Sequence, residues 1–162
     1  MEGVSCPVSG KPAKADKTCD LHGKTVYFCC PNCVKAFAAD KDKFATKAGH
    51  QLVATHQAVQ VACPISGKGL KEGTEVDVDG AQVGFCCPNC KAKFAGFDTD
   101  GQLNCAFGKF EKNFTTQTDC PVSGKAINPA CSTEHEGKKV YFCCGKCKKA
   151  FEGDPSKFAD KL

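Results

Sequence analysis

Residues 27–37 read YFCCPNCVKAF, and the pattern returns from Gly84 as GFCCPNCKAKF and from Tyr141 as YFCCGKCKKAF. The chain is written three times. Cys6, Cys63 and Cys120 open the copies at intervals of 57 residues. Cys29, Cys86 and Cys143 keep the same interval, as do Cys30, Cys87 and Cys144, and then Cys33, Cys90 and Cys147. Of fifteen cysteines only Cys19, Cys105 and Cys131 stand outside this register. The copies diverge elsewhere, so the unslipped register implies that four sulfurs per copy need a fixed geometry.

Each copy is too small to bury a self-sufficient core. With no Trp and one Met in 162 residues, it needs metal, disulfides or neighbouring copies to hold it together. The net charge is +4, and all 22 basic residues are Lys. No Lys cluster lies on an aromatic stacking platform, which argues against nucleic-acid binding. No apolar run is long enough to insert in a membrane, and MEGVSCPVSG has no basic region leading into a hydrophobic one. The expectation is a soluble chain, cytoplasmic as written or periplasmic if an export signal has been removed. The odd cysteine total and the adjacent pairs fit a metal site in a reducing space better than a secreted disulfide framework.

Along each copy, a CPxSGK turn comes first, over residues 6–11, 63–68 and 120–125. Pro fixes one backbone angle and Gly permits a positive one. The loop can then curl its amides toward the leading sulfur and favour a thiolate. Zinc knuckles usually carry a second Cys at the fourth position, whereas Ser9, Ser66 and Ser123 stand here, so each knuckle offers one strong ligand. A hairpin follows, turning at Asp79-Gly80, His22-Gly23 or Glu136-Gly137, with Val26/Phe28, Val83/Phe85 and Val140/Phe142 pointing inward on the return. A helix then begins near Pro31 or Pro88, with Cys33 and Phe37, Cys90 and Phe94, or Cys147 and Phe151 on one face. Cys29 and Cys30, and their equivalents, fall just before the helix start, where free amides and the helix dipole lower a thiol pKa. Between copies, Val59 and Val61 look strand-like, while Phe107, Phe110 and Phe114 have helical spacing and read as core between repeats. The four histidines miss the 57-residue register and read as surface residues. Cys19, Cys105 and Cys131 read as buried thiols.

Twenty-two residues separate Cys6 from Cys29, and three separate Cys29 from Cys33, with an extra Cys inside. One sulfur from a knuckle and two or three from a helix start converge in a knuckle, hairpin and helix unit of the treble-clef kind. Thiolates suit Zn(II), Cu(I) or iron. The candidate ligands are Cys6, Cys29, Cys30 and Cys33; Cys63, Cys86, Cys87 and Cys90; Cys120, Cys143, Cys144 and Cys147. The expected architecture is an α+β chain of three tandem treble-clef-like units: residues 1–50, a linker 51–62, residues 63–101, a linker 102–119, and residues 120–162.

The CPxSGK opening, the hairpin and the FCCPNCxxxF segment resemble the TRASH and YHS families of small heavy-metal-associated domains. The resemblance places metal ligation on Cys29/Cys33, Cys86/Cys90 and Cys143/Cys147 with Cys6, Cys63 and Cys120. It implies trafficking, storage or sensing of metal, copper prominently, with a metal transporter or metallochaperone as partner. The extra Cys30, Cys87 and Cys144 depart from the family pattern, and each is either a fourth ligand or a free thiol.

Other readings compete. A zinc-stapled scaffold would use the same sulfurs without metal chemistry of its own. Disulfides would leave an odd sulfur, and vicinal cysteines seldom bond to each other. Thiol–disulfide exchange at Cys30-Pro-Asn-Cys33 has the right spacing, yet 57 residues cannot hold a thioredoxin-like domain. Iron–sulfur electron transfer uses thiolates too, but the usual ferredoxin spacings are absent. A binding protein rather than an enzyme is expected, with about one Zn(II) or Cu(I) per repeat.

Overall fold

The computed structural model describes residues 3–162, so the first two residues of the expected first unit lie outside the described residues. The 57-residue register of the sequence is a register of structure. Each copy has a first strand, β1 Lys14–Leu21, β4 Lys71–Val78 or β7 Asn128–His135. It pairs antiparallel with a return strand, β2 Lys24–Phe28, β5 Ala81–Phe85 or β8 Lys138–Phe142. A helix follows, α1 Pro31–Ala39, α3 Pro88–Ala95 or α6 Gly145–Gly153. The structure is therefore a mixed one of small two-stranded sheets and short helices.

The hairpin turns are of the kind the sequence predicts. Both central residues have positive φ: 54° and 73° at His22 and Gly23, 50° and 87° at Asp79 and Gly80, 50° and 78° at Glu136 and Gly137. That pattern matches the right-handed twist of the flanking strands. The return strand carries the packing. Val26, Phe28, Val83, Phe85, Val140 and Phe142 are all buried, as are Phe37, Phe94 and Phe151 on the helices. In each copy the strand Phe meets the helix Phe in the same tilted contact, at 5.1, 4.9 and 5.2 Å between ring centroids. Strand and helix are thereby fixed to each other, and the chain between them, which holds the cysteines, is fixed with them.

The chain divides into two compact units, Met1–Thr116 and Gln117–Leu162. In the first, the stretches expected as linkers belong to the fold. Helix α2, Lys41–Ala54, runs across the expected boundary at residue 50 and buries Ala48, Gln51, Leu52 and Val53. Strand β3, Val59–Gln60, pairs with β6, Phe114–Thr115. Helices α4, Thr99–Phe107, and α5, Phe110–Asn113, fill the rest. The physical reason is apolar demand: two copies share one continuous core, in which Phe28, Phe37, Phe85 and Phe94 join Leu52, Phe107 and Phe114. Phe114 stacks on both Phe107 and Phe110, at 5.3 Å in each case. Gly49 is required here, since a Cβ at this position would come within 2.8 Å of the Phe110 ring.

Two histidines depart from the surface reading. His50 on α2 donates from Nε2 to the Val78 carbonyl at 2.7 Å and meets Phe107 edge-on. His135 meets Phe151 in the same edge-on way. His22 and His56 are exposed. The second compact unit, Gln117–Leu162, is far leaner: Cys120, Val140, Phe142 and Phe151 form its buried cluster, with Phe158 from a terminal 3₁₀ stretch, Pro155–Lys161, packed against it.

Candidate metal centres

In each copy the knuckle closes on itself by two backbone hydrogen bonds. The Cys6 amide donates to the Lys11 carbonyl and the Gly10 amide to the Cys6 carbonyl, both at 2.8 Å. The same pair recurs at Cys63/Lys68 and Gly67, and at Cys120/Lys125 and Gly124. Gly10, Gly67 and Gly124 have φ of 70°, 71° and 69°, a backbone state that side chains resist. The loop buries its cysteine sulfur and turns its amides toward it.

Three sulfurs converge in each copy. Cys6, Cys29 and Cys33 form one set, Cys63, Cys86 and Cys90 a second, and Cys120, Cys143 and Cys147 a third. Within each set all sulfurs lie within 4.8 Å of one another, so each could hold a metal ion. All fifteen cysteines are free thiols.

The extra cysteine is the N-cap of its helix, with extended backbone: φ and ψ are −158° and 163° at Cys30, −164° and 162° at Cys87, −161° and 167° at Cys144. Cys30 falls outside the three-sulfur group, whose members are Cys6, Cys29 and Cys33. Its sulfur stays close, 3.6 Å from that of Cys33, while Cys87 is 3.7 Å from Cys86 and Cys144 is 3.7 Å from Cys143. Cys144 is exposed, whereas Cys30 and Cys87 are half-buried.

The protonation balance of each set favours a cation. Burial pushes the knuckle thiols up, yet the serine hydroxyl and the amides of Cys29, Ser9 and Val8 outweigh it and bring Cys6 down to about 7. The same balance brings Cys63 to about 7 and Cys120 to about 6. Burial and the neighbouring sulfurs push Cys33 and Cys90 up to about 12. Cys147 reaches about 12 chiefly through Cys143, with burial second. Near neutral pH the knuckle cysteine of each metal-free set thus ionises readily beside a thiol that resists ionising, and a bound cation would favour the thiolate form of both. The amide of the third helical residue lowers the thiols of Cys30, Cys87 and Cys144, as expected at a helix start. No acidic residue stands in the first turn of any of the three helices.

Among protein-family models, curated proteins and solved structures, none matches this chain. The resemblance to TRASH and YHS domains stands on the motifs alone. Among the described residues no helix is long and apolar enough to cross a membrane.

Two supporting roles are absent from the sequence reading. The first is the knuckle serine, whose Oγ lies 3.2, 3.1 and 3.1 Å from the sulfur of Cys29, Cys86 and Cys143. The second is a glutamine that ties the knuckle to the return strand. Gln60 accepts the Gly84 amide at 2.6 Å and donates to the carbonyls of Gly84 and Ala62 at 2.9 and 3.0 Å. Gln117 does the same with Tyr141, at 2.9 and 2.6 Å, and with the Asp119 carbonyl at 3.0 Å. Gln60 and Gln117 stand 57 residues apart, which was the available clue. In the first copy that register position is Gly3, and Gln51 of α2 takes over. It accepts the Tyr27 amide at 2.7 Å and donates to the carbonyls of Tyr27 and Ser5 at 2.8 Å each. The residue before the leading cysteine is thus pinned to the strand that ends at the second cysteine. Cys19, Cys105 and Cys131 are half-buried rather than buried. The hairpin faces that carry Cys19 and Cys131 are only partly covered, so these thiols retain some solvent contact.

Proposed function

We propose that this chain is a metal-binding protein rather than an enzyme, carrying three thiophilic metal ions, one per repeat, as exchangeable cargo. The observation that carries this reading is the threefold convergence of three cysteine sulfurs, each set with a further thiol beside it but outside it. The ligands are Cys6, Cys29 and Cys33 and their equivalents. Cys30, Cys87 and Cys144 are the thiols through which metal enters or leaves. The order of knuckle, hairpin and helix supports a treble-clef-like unit of the TRASH and YHS kind. A set of three thiolates suits Cu(I), which accepts three-coordination, better than Zn(II), which seeks a fourth ligand. A metallochaperone or transporter that hands over metal by ligand exchange is the partner this chemistry fits.

The test is a Cu(I) challenge of the zinc-loaded chain under anaerobic conditions. Cu(I) is expected to displace zinc from all three sets and then to pass to a competing chelator within minutes. Zinc that survives the challenge, with every register cysteine protected from alkylation, would mark closed structural sites and a scaffold instead.

A further inference from the structure

Each knuckle presents a hydroxyl where a zinc knuckle presents its second thiolate. Ser9, Ser66 and Ser123 follow the leading cysteine by three residues, the spacing at which a second Cys would complete a four-sulfur site. The serine side chain reaches the metal set: its Oγ is within 3.2 Å of the sulfur that follows the return strand in every copy. One of its two lone pairs is engaged. The backbone amide of Lys11 donates to Ser9 Oγ at 3.4 Å, that of Lys68 to Ser66 at 3.3 Å and that of Lys125 to Ser123 at 3.4 Å. The hydroxyl proton remains free to point at the sulfur. Once that sulfur is a thiolate it can only accept, so the serine donates.

We propose that Ser9, Ser66 and Ser123 determine metal specificity, holding each site at three thiolates by placing a hydrogen-bond donor where a fourth thiolate would otherwise close the coordination shell. This inference rests on the reading of the three cysteine sets as metal sites. The hydroxyl does two things at once. It draws charge from a sulfur in an anionic group of three, which substitutes for part of the neutralisation that a divalent ion would supply. It also withholds a fourth soft ligand on the knuckle side, so that with Cys30, Cys87 and Cys144 outside the sets each site is left to a monovalent soft ion content with three. The repetition of both hydrogen bonds in three copies distinguishes this from general turn chemistry, and the same hydroxyl also favours the thiolate of the leading cysteine of its own set.

The full chain is compared with three variants: Ser9→Cys/Ser66→Cys/Ser123→Cys, the corresponding triple Ala change, and the corresponding triple Thr change. Zinc affinity is read by competition with a chromophoric zinc chelator and copper affinity by competition with a Cu(I) chelator. The Cys variant is expected to hold zinc about tenfold or more tightly and to resist displacement by Cu(I). The Ala variant is expected to weaken Cu(I) binding by about 10–100-fold, as loss of an outer hydrogen bond to a ligand generally does. Thr, which keeps the hydroxyl, is expected to restore it. A chain that binds both metals while its Cys variant keeps the parent's preference would overturn the serine assignment alone. So would a Thr variant as weak as the Ala variant. A parent chain that takes up neither zinc nor copper would overturn the metal reading and this inference together.

Discussion

Stripping metal from the loaded chain is expected to unfold Gln117–Leu162 while Met1–Thr116 keeps most of its helix. The two compact units differ in what holds them. The first surrounds two knuckles with a core that runs from Val26 and Phe28 through Leu52 to Phe107 and Phe114. Each large side chain buried there contributes about 1.5–3 kcal/mol. The second unit's buried cluster is Cys120, Val140, Phe142 and Phe151, with Ile127 and Tyr141 buried outside it, and one of the four is itself a proposed ligand. Chains well under about 60 residues seldom fold on so little. Structural Zn(II) supplies about 10–16 kcal/mol to zinc-finger peptides near neutral pH, and a metal site that does not exist in the unfolded chain returns its binding energy as folding energy. Hydrogen exchange resolved by residue distinguishes the units. After verified metal removal, the amides of β8 and α6 are expected to exchange as in an unfolded chain, and those of α2 and β5 to stay protected. Protection that persists in α6 would show that the third repeat folds on its apolar core alone.

Replacing the clamping glutamines is expected to have the next largest effect. Gln117→Ala deprives the Tyr141 amide, the Tyr141 carbonyl and the Asp119 carbonyl of the partner that Gln117 supplies. A buried polar group left without a partner costs about 1–3 kcal/mol, and water reaches part of this site, so a loss of about 2–4 kcal/mol is expected in total. In the lean second unit that is a large fraction of the stability, and metal affinity at the third set falls with it. Gln51→Ala, in a residue only 2% exposed, is expected to weaken the first set and leave the third unchanged. Denaturant titration with copy-resolved metal retention measures both. Equal losses at all three sets from either single change would contradict the clamp.

The contrast between Gln117 and Gln51 also shows what could be read from the sequence. Whatever repeats is legible, because a fixed interval exposes a fixed geometry. The knuckle glycines, the two-residue turns at His22, Asp79 and Glu136, the inward Val and Phe of the return strands and the helix starts all stand where periodicity and turn chemistry place them. Gln60 and Gln117 keep that register as well, but their partners are backbone groups, which carry no sequence pattern of their own. Gln51 could not be found by register, because helix α2 exists once and satisfies a need that the other copies meet from the preceding strand or turn. The same holds for His50, whose carbonyl partner at Val78 lies on the hairpin of another copy. Helix α2 was split by a boundary at residue 50 because its apolar positions, Ala48, Leu52 and Val53, gain meaning only from the neighbours they meet.

At the candidate sites, the ligand types were legible and the division of labour was not. Twelve cysteines share one register. Which member of an adjacent pair joins the set depends on backbone geometry that the register does not carry, and Cys29, Cys86 and Cys143 join it while the sulfurs of Cys30, Cys87 and Cys144 stay beside it.

Three separate three-thiolate sites are the central claim, and the metal content of the intact chain tests it most directly. Native mass spectrometry of the Cu(I)-loaded chain, combined with alkylation before denaturation, is expected to find three metal ions per chain. Cys30, Cys87 and Cys144 should be labelled while the nine sulfurs of the three sets stay protected. Fewer than three ions, or a cluster in which Cys30, Cys87 and Cys144 are protected with the rest, would mean that the sulfurs are pooled or the sites closed, and would contradict it.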